Sequence, residues 1–68
     1  MTFKFYAPPV RVADLDVGTG ENDQGVKTTA ITMHGATFSM SAHLSREDTF
    51  LLASILVDQL DWFDPIVF

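Results

Sequence analysis

A chain of 68 residues supports one hydrophobic core, so residues 1–68 are expected to form a single domain with no room for a separate substrate domain. The chain has no cysteine, which removes disulfides and every thiolate zinc site and leaves oligomerisation as the leading supplement to so small a core. Four basic against nine acidic side chains give a net charge of -5, a field that repels nucleic acid and anionic lipid, so direct nucleic-acid binding is not expected.

The N-terminal segment Met1-Thr2-Phe3-Lys4-Phe5-Tyr6 lacks the basic flank and apolar run of a signal peptide. No stretch approaches the ~18 apolar residues of a membrane span. The expectation is a cytoplasmic chain without a membrane segment. Phe3 to Tyr6 reads as a short strand, which Pro8-Pro9 interrupts by fixing two φ angles and removing two donors. A second strand is predicted over residues 10–17. Val10 and Val12 share one parity there and Leu15 and Val17 the other, which predicts a bulge or change of face near Ala13. Glycine and Asn/Asp content places residues 18–25 in a loop.

A hairpin is predicted over residues 27–44, with His34-Gly35 as a two-residue turn that needs positive φ. In that register Met33 faces Ala36, Ile31 faces Phe38 and Thr29 faces Met40 on a buried apolar side. Thr32 with Thr37, Ala30 with Ser39 and Thr28 with Ser41 form a polar side. Ser45 is the predicted N-cap of a helix whose first turn carries Glu47 and Asp48, and Pro65 is its predicted stop. Phe50, Leu52, Ala53, Leu56, Val57, Leu60 and Phe63 form a broad apolar arc suited to covering the sheet. Leu51, Ile55 and Trp62 fall on a second, narrower stripe. The fold class is therefore α+β: a small antiparallel sheet of three to four strands packed against one C-terminal helix.

Candidate sites are few. Asp14, Asp16, Glu21 and Asp23 alternate before a glycine-rich turn in the manner of a calcium loop. Gly18 stands where a third oxygen ligand belongs and Gly25 where the closing glutamate belongs, so no metal is expected. His34 reads as a turn residue. His43 shares the polar side with Ser39 and Ser41, but alternation places such pairs together in any polar strand, and no strained nucleophile turn or oxyanion loop accompanies them. Gly18-Thr19-Gly20 is too short for a phosphate cradle and precedes acids rather than a helix N-terminus. No catalytic, cofactor or metal residue is expected. The last residues, Trp62-Phe63-Asp64-Pro65-Ile66-Val67-Phe68, crowd large apolar side chains that either close the core or form an interface.

The segment His43-Leu44-Ser45-Arg46-Glu47-Asp48-Thr49-Phe50-Leu51-Leu52-Ala53-Ser54-Ile55-Leu56 follows two strands. It resembles the leucine, serine, acid-rich turn and apolar helix of small uncharacterised proteins of actinobacteria and their phages. The resemblance covers the C-terminal half, implies a strand-to-helix layout and a phage-like origin, and carries no activity with it. The helix here is more aromatic than the usual alanine-rich version.

Two functional expectations of different class follow. The first is a non-enzymatic protein–protein interaction module, a homodimer or a binder of a host protein, whose interface is Leu51, Ile55, Trp62 and Phe68. A leftover apolar stripe on a chain without disulfides has reason to be buried between subunits. The alternative is an acidic decoy that uses Asp14, Asp16, Glu21 and Asp23 to occupy a basic nucleic-acid-binding surface of a partner.

Overall fold

The computed structural model describes residues 2–63. Their elements are β1 (Lys4–Phe5), β2 (Val10–Val12), β3 (Leu15–Glu21), β4 (Lys27–His34), β5 (Ser39–Leu44) and α1 (Arg46–Gln59), extended by a 3₁₀ turn, Leu60–Trp62. All five strands pair antiparallel in one sheet of order β1-β3-β4-β5, with β2 also on β3. The fold is α+β as the sequence predicts, a small antiparallel sheet packed against one C-terminal helix, with one strand beyond the predicted three to four.

The additional strand comes from residues 10–17, which form two strands rather than one bulged strand. Val12 pairs with Leu15 across a two-residue turn in which Ala13 takes φ 54°. The parity change near Ala13 is this reversal of direction. β3 then runs on through Gly18, Thr19 and Gly20, which the sequence predicts as loop. The loop proper begins at Asn22, whose Oδ1 accepts from Gln24 N at 2.9 Å and Val26 N at 3.0 Å, with Gly25 at φ 76°.

Glycine stands inside β3 because aromatic rings lie against that strand. A Cβ on Gly18 would meet the Phe5 ring at 2.9 Å, and one on Gly20 would overlap the Lys4 carbonyl and meet the Phe3 ring at 2.8 Å. Phe3 and Phe5 pack edge to face at 5.0 Å between ring centroids, and Phe3 continues onto the His43 ring at 4.9 Å. Gly20 and Ala30, the latter opposite Gly18, are the two buried residues among those described.

This small core lies on the side of the sheet that alternation marks as polar. The hairpin register also differs from the predicted one, without changing the faces. Met33 pairs with Met40 rather than with Ala36, and Ile31 pairs with Ala42 rather than with Phe38. The turn closes around residues 36–37, where Gly35 N donates to Phe38 O at 2.8 Å. Gly35 has no positive φ; a Cβ there would crowd the Phe38 carbonyl at 2.9 Å. The slip is an even number of residues, so both strands keep their predicted face assignments. What differs is which face the aromatic N-terminal segment covers.

Ser45 caps α1 as predicted, its Oγ accepting from Asp48 N at 3.1 Å, with Glu47 and Asp48 in the first turn. The α-helix ends at Gln59 and tightens into the 3₁₀ turn; Pro65, the predicted stop, lies outside the described residues. No described residue of α1 is buried.

Candidate functional site

Two apolar rows cross the sheet on the face opposite Phe3 and Phe5. Strand register places Val12, Leu15, Met33 and Met40 side by side in one row, and Val10, Val17, Ile31 and Ala42 in the next. Such rows of cross-strand pairs are the inner surface of a sheet covered by another layer. Here Val10, Val12, Met33 and Met40 are all more than half exposed, as is Phe38 beside them in the turn.

The helix predicted to cover this face meets it near the helix start and leaves most of the apolar rows open. Phe50, Leu56, Val57, Leu60 and Phe63 of the broad arc are exposed, Phe50 by 75%. The connection between sheet and helix is short. One residue, Ser45, separates the end of β5 from the start of α1, and strand-to-helix reversals commonly take about 2 to 6 residues. α1 therefore reaches β4 and β5 near its start, where Arg46 and Thr49 line a shallow hollow with Thr19, Lys27 and Thr29. The stripe predicted as an interface is also open: Leu51 and Ile55 are exposed, and Trp62 is exposed by 86%. Phe68 lies outside the described residues. Sequence periodicity divides the helix into a core-facing and a leftover side; in the structure Leu52 of the first is half-buried and the other large apolar residues of both are exposed. The single-residue connector was the signal that pointed there.

On the other face a polar chain ties four strands together. Asp16 accepts from Arg11 Nε at 2.8 Å and from Arg11 Nη2 at 3.1 Å, a two-pronged pair between β2 and β3. His34 Nε2 meets Asp16 Oδ2 at 2.8 Å, and His34 Nδ1 meets Ser39 Oγ at 3.2 Å. The Arg11 guanidinium, followed by His34, holds the Asp16 carboxyl well below the usual carboxylate range, and Asp16 in turn raises Arg11. Asp16, His34 and Ser39 follow the order of an acid, a base and a nucleophile. Strand pairing alone accounts for that order, since Ser39 is the direct partner of His34 and Asp16 faces the neighbouring Thr32. His43 bonds Thr28 Oγ1 at 3.2 Å, and Ser41 bonds Thr32 Oγ1 at 2.9 Å. These contacts brace the sheet.

The four acids of the alternative reading are spread along β3 and its ends. Asp14 sits in the β2–β3 turn and Asp16 in the Arg11 pair. Glu21 stands opposite both Lys4 and Lys27, and Asp23 accepts from Thr2 Oγ1 at 2.8 Å. Among the described residues no three His, Asp or Glu side chains converge to hold a metal. Among the described residues no helix is long and apolar enough to cross a membrane. Comparison with protein-family models, with curated proteins and with solved structures gives no match.

Proposed function

We propose that this chain is a non-enzymatic protein–protein interaction module that associates with a second copy of itself through its helix and the apolar face of its sheet. The observation that carries this reading is the area left uncovered. The chain exposes 6004 Å², where a compact 7.5 kDa chain exposes roughly 4,200 Å². Its radius of gyration is 14.4 Å, against about 11 Å for a compact domain of this length. The excess, on the order of 1,800 Å², falls within the ~1,000 to 2,500 Å² per chain that an obligate dimer buries. Val10, Val12, Met33, Met40, Phe50 and Trp62 are among the exposed apolar side chains, and methionine and aromatic residues are enriched at interface centres. A two-fold dimer is the simplest closed arrangement.

Sedimentation equilibrium tests this directly. The expected mass is about twice the chain mass at micromolar concentration, unchanged by raising salt from about 0.05 to about 0.5 M, because apolar burial is not screened. A mass of 7.5 kDa at ~100 μM overturns the reading.

A further inference from the structure

β5 lies at the open side of the sheet, with β4 as its sole strand neighbour among the described residues. The ladder fixes which of its backbone groups face outward. Because Gly35 N donates to Phe38 O, residues 35 and 38 form a hydrogen-bonded pair. Alternation then makes Met33–Met40, Ile31–Ala42 and Thr29–Leu44 hydrogen-bonded pairs, and His34–Ser39, Thr32–Ser41 and Ala30–His43 non-hydrogen-bonded ones. The phase is independently marked by the His34 N–H, which turns away from β5 and donates to Asp14 O at 2.9 Å. The N–H and C=O groups of Ser39, Ser41 and His43 therefore point away from the sheet.

Sheet edges are ordinarily blunted by lysine, proline, a bulge or an inward charge. The β5 sequence, Ser-Met-Ser-Ala-His-Leu, has no Lys, Arg, Asp, Glu or Pro, and its pairing to β4 is unbroken. We propose that β5 pairs antiparallel with β5 of a second copy about a two-fold axis at Ser41, joining two sheets into one; this rests on the self-association reading above.

A second copy fits this edge for three reasons. The outward groups are symmetric about Ser41, so a two-fold pairing of Ser41 with itself, and of Ser39 with the partner's His43, uses all of them. That register sets Met40 against the partner's Ala42, so the apolar rows meet on one face and the serines and histidines on the other. The antiparallel direction also brings the Leu44 end of β5, where α1 departs, beside the partner's 35–38 turn. Leu44 then lies against the partner's Phe38, which is exposed within one chain.

Amide exchange on the unmodified protein tests the pairing, because the Ser39, Ser41 and His43 N–H groups have no strand partner among the described residues. In the dimer they are expected to exchange on the order of 100-fold more slowly than unprotected amides. The cysteine-free sequence permits a second measurement. Ser41→Cys should crosslink to its own mate on mild oxidation, since hydrogen-bonded antiparallel neighbours lie about 5.5 Å apart, within disulfide reach. Ser39→Cys alone should not, being about 14 Å from its mate in this register, whereas a mixture of Ser39→Cys and His43→Cys should. A dimer whose Ser39, Ser41 and His43 amides exchange freely overturns the edge pairing and leaves self-association standing. A chain that sediments as a monomer at ~100 μM overturns both.

Discussion

Trp62→Ala separates a surface residue from an interface anchor with one substitution. Within a single chain Trp62 is exposed by 86%, so its removal from an isolated monomer should change stability by no more than about 0.5 kcal/mol. Against a partner the same side chain has nearly all of its surface available for burial. Taking ~200 Å² for a tryptophan at ~25 cal/mol per Å² gives an upper bound of about 5 kcal/mol, and anchor truncations commonly cost at least about 2 kcal/mol. Two kcal/mol is a rise of about 30-fold in the dimer dissociation constant. Trp62 is also the one tryptophan in the sequence, so its own fluorescence reports association. Emission should shift to the red as the protein is diluted from about 100 μM to about 0.1 μM, and sedimentation of Trp62→Ala over that range should show the weakened dimer. A dissociation constant within twofold of the unsubstituted protein, with emission insensitive to dilution, refutes the assignment of Trp62 to the interface.

Three further outcomes follow from the sheet. Ala13→Gly should raise stability by about 1 kcal/mol, seen as a melting temperature several degrees higher, because it removes a Cβ from a residue at φ 54°; a lower melting temperature would show that the turn does not hold that conformation. Gly20→Ala should cost about 1 to 3 kcal/mol by driving β1 and the Phe3 ring off the strand, and a neutral result would place Phe3 elsewhere. Asp16 has a depressed pKa in the folded chain, so its contribution is present above the unfolded carboxylate value of about 4 and is lost as pH falls below it. Asp16→Asn should therefore destabilise at pH 7 and flatten the decline of melting temperature between about pH 4 and pH 2. Parallel profiles for the two proteins would exclude the Arg11 and His34 pair as the cause.

What the sequence made legible was local. The Ser45 cap, the helix it starts and the alternation of β4 and β5 depend on residues within a few positions of one another, and all are present. The position of the turn was less so, because His34-Gly35 has the composition of a tight hairpin. The chain closes two residues later, where the Phe38 carbonyl passes too near Gly35 for any side chain. Gly18 and Gly20 misled in the same way. Glycine reads as loop by propensity, but here it is the clearance that a central strand needs under Phe3 and Phe5, a contact between segments more than ten residues apart. The Arg11–Asp16–His34–Ser39 chain was hidden for a related reason, since it forms only once three strand registers are fixed. The predicted stripe of Leu51, Ile55 and Trp62 is exposed, and so is the larger arc beside it apart from the half-buried Leu52.

The exposed arc places the weight of the reading on a single residue, and that residue can be tested. If α1 stays off its own sheet because Ser45 alone joins it to β5, added length should release it. Inserting Gly-Ser-Gly-Ser between Leu44 and Ser45 keeps the N-cap intact and brings the connector to the ~2 to 6 residues that strand-to-helix reversals use. Lengthening the connector from one residue to five costs about 1.4 kcal/mol of closure entropy. The gain is the intramolecular contact of Phe50, Leu56 and Leu60 with the rows at Met33 and Met40, which within one chain needs no second molecule. Short connectors favour exchange of elements between copies and longer ones favour closure. The expected outcome is a smaller hydrodynamic radius and a dimer dissociation constant raised by tenfold or more. An insertion variant that retains both the radius and the affinity of the original would show that something other than the connector holds the helix away from its sheet.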